Sequence, residues 1–134
     1  MSLVDVEIDS LSSQGEGVAR LADGRVVFVP FTAPGDRASV RLEEDHGRWL
    51  RGCVVSLEAP GPERCEPVCP VFGRCGGCTL QHIKYDAQLA AKRRTLADAL
   101  SRIGRFAVPE NLVIHASPSP YGYRGRTRVL VSGQ

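Results

Sequence analysis

Four of the five cysteines in this chain fall within one short run, Cys65-Glu-Pro-Val-Cys69-Pro-Val-Phe-Gly-Arg-Cys75-Gly-Gly-Cys78. Thiolates are soft donors, so thiols at this density point to metal or cluster binding, or to thiol redox exchange. Cys69, Cys75 and Cys78 are spaced C-x5-C-x2-C. The run also holds two prolines and three glycines, which exclude a regular helix or a sheet interior. The spacing predicts a loop that carries its thiols toward one point. Gly76-Gly77 lets the backbone approach an inorganic core closely, and N–H groups aimed at cluster sulfides would tune its potential. A tetrahedral zinc site asks for the same thiolates, but it usually takes two C-x2-C knuckles and only one is present. On spacing alone, an iron–sulfur cluster, a zinc knuckle of Cys65, Cys69, Cys75 and Cys78, and a thiol redox sensor all stay open.

A chain of 134 residues, 43% hydrophobic and 24% charged, can build one ordinary domain or two small ones around a packed core. No apolar run reaches the length of a membrane span, and the first residues lack the basic-then-apolar form of a secretory signal. These features exclude a membrane partner and place the chain in the cytoplasm, where clustered cysteines hold metal more often than they form disulfides. The net charge of +2 is unevenly divided. Residues 1–63 hold six Arg against eleven acidic residues; residues 64–134 hold eleven Lys or Arg against four acidic residues. A polyanion is expected to be felt mainly by the second half.

The elements that must position the thiols begin with residues 1–60. Leu3-Val4-Asp5-Val6-Glu7-Ile8-Asp9 alternates over most of its length in the period of a half-buried strand. Further strands are predicted at 18–21, 26–29, 38–42 and 49–57, separated by Gly15-Glu-Gly17, Asp23-Gly24, Ala33-Pro-Gly-Asp36 and a charged loop at 43–47. Short strands, tight turns and no helix predict a mainly β fold, a small five-stranded OB-like barrel. Phe28, Phe31 and Trp49 are either stacking platforms for bases or core and barrel-closing residues, and the second reading is preferred, because so small a barrel has few large side chains to spare. Cys53 is read as a buried small hydrophobe, and His46 as a solvated surface residue.

The order Gly15-Glu-Gly17, Asp23-Gly24, Val27-Phe-Val29-Pro30, Pro34-Gly35-Asp36 resembles a TRAM domain, an RNA-binding barrel appended to RNA-modifying enzymes. Cys69-x5-Cys75-Gly-Gly-Cys78-Thr-Leu-Gln81-His82, followed by Tyr85, Gln88, Leu89 and Lys92, resembles the iron–sulfur segment of the RNA (uracil-5-)-methyltransferases. That resemblance implies a 4Fe-4S cluster held by Cys69, Cys75 and Cys78, with RNA, ribosomal or transfer, as the partner. In the family the fourth ligand lies further along the chain. Here no cysteine follows Cys78, so the fourth ligand is Cys65, a non-protein group, or absent. The resemblance also implies S-adenosylmethionine as cofactor of the intact enzyme, with the catalytic cysteine, general base and cofactor site in a C-terminal methyltransferase domain. No residue of this chain matches those motifs, and the chain is read as an N-terminal, monomeric fragment with no catalysis of its own.

The expected organisation is therefore a TRAM-like barrel at 1–60, a cysteine loop at 61–83, and a helix plus an arginine strand at 84–134. Tyr85, Leu89, Leu96, Leu100 and Ile103 recur at helical spacing, and Gly104 marks a stop. Asn111–His115 is predicted as a short strand. Tyr121–Val131 is predicted as a second, with Arg124, Arg126 and Arg128 on one face as the RNA-binding candidates. Three like charges on one strand face need an anion or an acidic partner.

Overall fold

Val6 is buried while Asp5 and Glu7 on either side of it are exposed, as alternation along a half-buried strand requires. The computed structural model describes residues 2–128. It contains β1 (Leu3–Glu7), β2 (Ser10–Leu11), β3 (Gly17–Arg20), β4 (Val26–Val29), β5 (Arg37–Asp45) and β6 (Trp49–Ala59). They form one sheet in the order β1-β5-β6-β4-β3-β2. β4 and β6 run parallel, with Val26 opposite Trp49 and Phe28 opposite Arg51; the other pairs are antiparallel.

β1 and β2 are separated by two residues yet sit at opposite ends of that order. Between them, the Ile8 N–H donates to the Asp36 carbonyl at 2.9 Å and the Asp9 N–H to the Val18 carbonyl at 2.8 Å. The first stretch of chain thus joins the two edges and the sheet curls on itself, which leaves little unpaired edge. This is the OB-like β fold expected from the sequence, with one short strand more. The core is Val6, Ile8, Ala19, Val27, Val29, Ala38, Val40 and Leu50. It is built of small and medium side chains, and burying each Val or Leu contributes about 1.5–3 kcal/mol.

The Asp23-Gly24 turn forms as expected, with Gly24 at φ +87° and the Gly24 N–H bonded to the Leu21 carbonyl. Gly17 has no room for a side chain, since a Cβ there would overlap Thr32 Oγ1 and Ile8. Both glycines of the Gly15-Glu-Gly17 motif have a structural cause. Gly15 adopts φ +86°, and a Cβ on it would meet Leu80 and Thr79, at the exit of the cysteine loop.

The helix forms as α1 (Tyr85–Asp98) and continues into a π-helical stretch, Ala99–Ile103. Neither has a buried residue, and Leu96 and Ile103 are exposed. The two expected C-terminal strands do not form among the described residues: 111–115 and 121–128 have no strand structure. A strand needs a neighbour for its backbone groups, and the two ends of this sheet are already joined through residues 8 and 9. Residues 129–131 of the second expected strand lie outside the described residues. No helix among the described residues is long and apolar enough to cross a membrane.

Candidate nucleic-acid interface and cysteine loop

Asp36, in the turn before β5, has no exposed surface, and its carboxylate is the pivot between barrel and loop. It accepts the backbone N–H groups of Ala33 and Gly61, each at 2.7 Å, and Nε and Nη2 of Arg64. Burial pushes this carboxyl up, but Arg64 and the two backbone donors outweigh it and hold it below its ordinary value. Arg64 Nη2 also donates to the Phe31 carbonyl at 2.9 Å.

From this pivot the chain enters a narrow neck. Arg64 and Ile83 pair as an isolated antiparallel bridge, flanked by Cys65 N–H to the His82 carbonyl and Lys84 N–H to the Glu63 carbonyl, both at 2.9 Å. Everything between, the cysteine loop included, leaves and returns through one fixed gate. His82 seals it from the barrel side. Its ring is buried, and Nε2 donates to the Thr32 carbonyl at 3.0 Å while Nδ1 has no partner. That pattern is a neutral imidazole, and burial lowers its proton affinity accordingly.

The other residues beside the thiols have similar work. The Gln81 side chain accepts the Cys69 N–H at 3.1 Å. Gln88 of α1 donates to the Leu80 and Ile83 carbonyls, satisfying backbone groups just ahead of its own helix. Phe72, between Cys69 and Cys75, packs edge-on against Phe31 at 5.4 Å and lies 5.5 Å from the His82 ring. Phe31 holds a left-handed backbone, φ +62°, unusual for a bulky residue and fixed here by its carbonyl's bond to Arg64. The Tyr85 hydroxyl accepts the Ser117 N–H at 2.8 Å, tying the C-terminal segment back to the helix.

The thiols themselves are less ordered toward one point than the spacing predicts. Cys65 and Cys69 are half-buried, and Cys75 and Cys78 are exposed. Cys65 Sγ donates a long bond to the Gln81 carbonyl at 3.5 Å. Among the described residues no three His, Cys, Asp or Glu side chains converge to hold a metal ion. The donor chemistry suits a cluster, but the arrangement is not a preformed cradle. Gly73 and Gly76, both at positive φ with open space around them, leave the tip of the loop without packing partners.

The barrel's outer face differs from expectation more sharply. Along β6, Leu50 and Gly52 point inward while Trp49, Arg51 and Cys53 alternate outward. Cys53 is therefore no core residue: its thiol donates to Glu43 at 2.9 Å and accepts from Arg41 at 3.0 Å, and Glu43 pushes its pKa up. Phe28 and Trp49 are not core either. They meet edge-to-face on the outer surface at 5.6 Å, and His46 stacks flat on Trp49 at 3.9 Å and 16°. Phe31 is exposed as well.

Of the arginines singled out in the sequence, Arg124 reaches a defined site. With Lys92, Tyr121 and Tyr123 it lines a cleft of about 450 Å³ whose other wall is Gly77–Gln81, Cys78 included. Arg126 and Arg128 are exposed and outside that cleft. The cleft thus joins one loop thiol to two cations and two phenols, a mixture suited to phosphate and base contact. The roles of Asp36, Arg64 and His82 were not anticipated; a Gly-Asp turn with an Arg soon after a proline pair gives no spacing signal for a buried ion pair.

Residues 2–55 match the TRAM domain family. The chain is 44% identical over 126 residues to the 23S rRNA (uracil(1939)-C(5))-methyltransferase of Thiobacillus denitrificans, covering 94% of this chain and 29% of that protein. It is 45% identical to an RNA methyltransferase of Thermosynechococcus vestitus, covering 92% of this chain and 27% of the relative. Among solved structures, the tRNA (uracil-54, C5)-methyltransferase of Pyrococcus abyssi, in complex with S-adenosyl-L-homocysteine, aligns with a TM-score of 0.50 and 36% identity over 78% of this chain and 22% of that one. The chain spans less than a third of the curated relatives it matches. The chain is thus similar to the TRAM domain family over residues 2–55 and, over most of its length, to RNA methyltransferases, two of them named for C5 of uracil.

Proposed function

We propose that this chain is the RNA-binding and 4Fe-4S-binding part of an S-adenosylmethionine-dependent RNA (uracil-5-)-methyltransferase acting on ribosomal or transfer RNA. One observation carries the reading. A TRAM barrel is locked through Asp36 and Arg64 to the base of a C-x5-C-x2-C loop, inside a stretch homologous to RNA methyltransferases. The division of labour is barrel at 1–60, thiolate loop at 61–83, and helix with arginine segment at 84–134. Cys69, Cys75 and Cys78 are the proposed cluster ligands, and Cys65, at the gate, is the candidate fourth. Since the loop is not a preformed cradle, its tip must move to bring the thiolates together, while the gate and Phe72 stay fixed. Arg124, Arg126 and Arg128 supply phosphate contacts, Arg124 from the cleft beside Cys78. In this reading methyl transfer and cofactor binding belong to sequence that these 134 residues do not contain.

The test is a titration of the chain with labelled single-stranded, uridine-containing RNA across a salt series. Affinity is expected to fall steeply with salt, and to fall more on joint replacement of Arg124, Arg126 and Arg128 by Ala than of Arg20, Arg25 and Arg41. Equal losses, or no binding at all, would overturn it.

A further inference from the structure

We propose that the outer face of β4 and β6 is a stacking platform for the bases of single-stranded RNA, formed by Trp49, Phe28 and His46 and flanked by Arg20 and Arg48. It rests on the RNA-binding reading above and gives that reading a location on the barrel. A barrel this small gains stability from every large apolar side chain it can bury, yet its only Trp and Phe28 are turned outward. The cause is register. Val27, Val29 and Leu50 take the inward positions, so their neighbours Phe28 and Trp49 must face out.

The cluster is already assembled. Phe28 buttresses Trp49 edge-on at 5.6 Å, and the imidazole of His46 lies parallel on the indole at 3.9 Å. A planar heteroaromatic ring thus already occupies the position that a base takes on such platforms. His46 stands in the exposed β5–β6 loop beside Gly47, whose surroundings are open. A base extends the stack outward from His46, and the indole's surroundings change with it.

The flanking charge fits the same partner. Arg25 pairs with Asp23 and Asp45, Arg51 with Glu16, and Arg41 with Glu43. Arg20 and Arg48 have no carboxylate partner among the described residues. Arg20 lies opposite Val26, which lies opposite Trp49, so it stands in the same row of the outer face, with β4 between it and Trp49. With most of the face neutralised, stacking supplies the bulk of its contact, and Arg20, whose one bond is to the Gly24 carbonyl, and Arg48 add phosphate attraction.

Trp49 is the sole Trp, so its emission reports this site alone. The probe is a uridine-rich single-stranded RNA of about twelve nucleotides, within the range that small barrels cover. Binding is expected to quench Trp49. Trp49→Ala and His46→Ala should each weaken affinity about tenfold, and Trp49→Phe should keep most of it. The slope of log affinity against log salt should be unchanged in these variants but shallower by about 1.4 in the Arg20→Ala/Arg48→Ala pair. His46 is exposed, so His46→Ala tests the platform even if Trp49→Ala unfolds. RNA bound with unchanged Trp49 emission and undiminished affinity in His46→Ala would overturn the platform and leave RNA binding standing. Absence of RNA binding in the unaltered chain would overturn both.

Discussion

Cys69, Cys75 and Cys78 stand out in the sequence by their C-x5-C-x2-C spacing, but among the described residues their thiols do not converge. The residues that surround them were legible only as a pattern. Gln81, His82, Tyr85 and Gln88 carry a family resemblance, and the structure gives each a bond: to the Cys69 amide, the Thr32 carbonyl, the Ser117 amide and two carbonyls ahead of the helix. Two predictions belong at this scale. Protein purified anaerobically should carry iron and acid-labile sulfide, and Cys69→Ser, Cys75→Ser and Cys78→Ser should each lose most of both; stoichiometric zinc without iron would favour a zinc knuckle instead. Iron retained in Cys65→Ser would remove Cys65 from the ligand set. Separately, Gly17→Ala forces a methyl into Thr32 and Ile8, and should destabilise the barrel by about 1–3 kcal/mol in denaturant melts. The outward aromatics were misread because small size argues for burial of every large ring, while strand register, which alternation alone leaves ambiguous by one residue, decides the matter.

Strands β3 to β6 follow their sequence signals because local chemistry, an Asp-Gly turn or a Pro-Gly-Asp corner, coincides with alternating burial. Among the described residues the arginine segment forms no strand for the opposite reason: alternation is present but a neighbouring strand is not. The gate was illegible, since Asp36 and Arg64 are far apart in sequence and carry no periodic signal. It should nonetheless dominate the coupling of loop to barrel. Asp36→Ala leaves Arg64 half-buried without its anion and should cost about 3 kcal/mol, with faster hydrogen exchange at residues 63–65 and 82–84. Its pH dependence follows from two depressed groups. As pH falls through His82's ordinary 6.5, the unfolded chain takes up a proton that the buried ring resists, so stability declines. A second loss follows below Asp36's ordinary 3.8, as the unfolded carboxyl protonates before the paired one. Thermal melts should show the first decline between about pH 7 and 5, and His82→Gln should flatten it; an unchanged slope in that variant would assign it elsewhere.

Over the whole molecule, charge and aromatic surface are divided. The barrel is net acidic and presents rings, and the second half is net basic and presents arginines. In the proposed function single-stranded RNA uses both, with bases on the first and phosphates on the second. The cysteine loop stands between them, held at its gate to the barrel and bordering the cleft of Lys92 and Arg124. The most direct measurement is photo-crosslinking of the chain to 4-thiouridine-substituted single-stranded RNA, with the attachment sites mapped by mass spectrometry. Crosslinks are predicted on the Phe28–Trp49 face and around Lys92 and Tyr121–Arg124, suppressed by unlabelled RNA and by high salt. Crosslinks confined to the β1 side of the barrel, around Asp5, Glu7 and Arg37, or none above a non-binding control, would contradict the account.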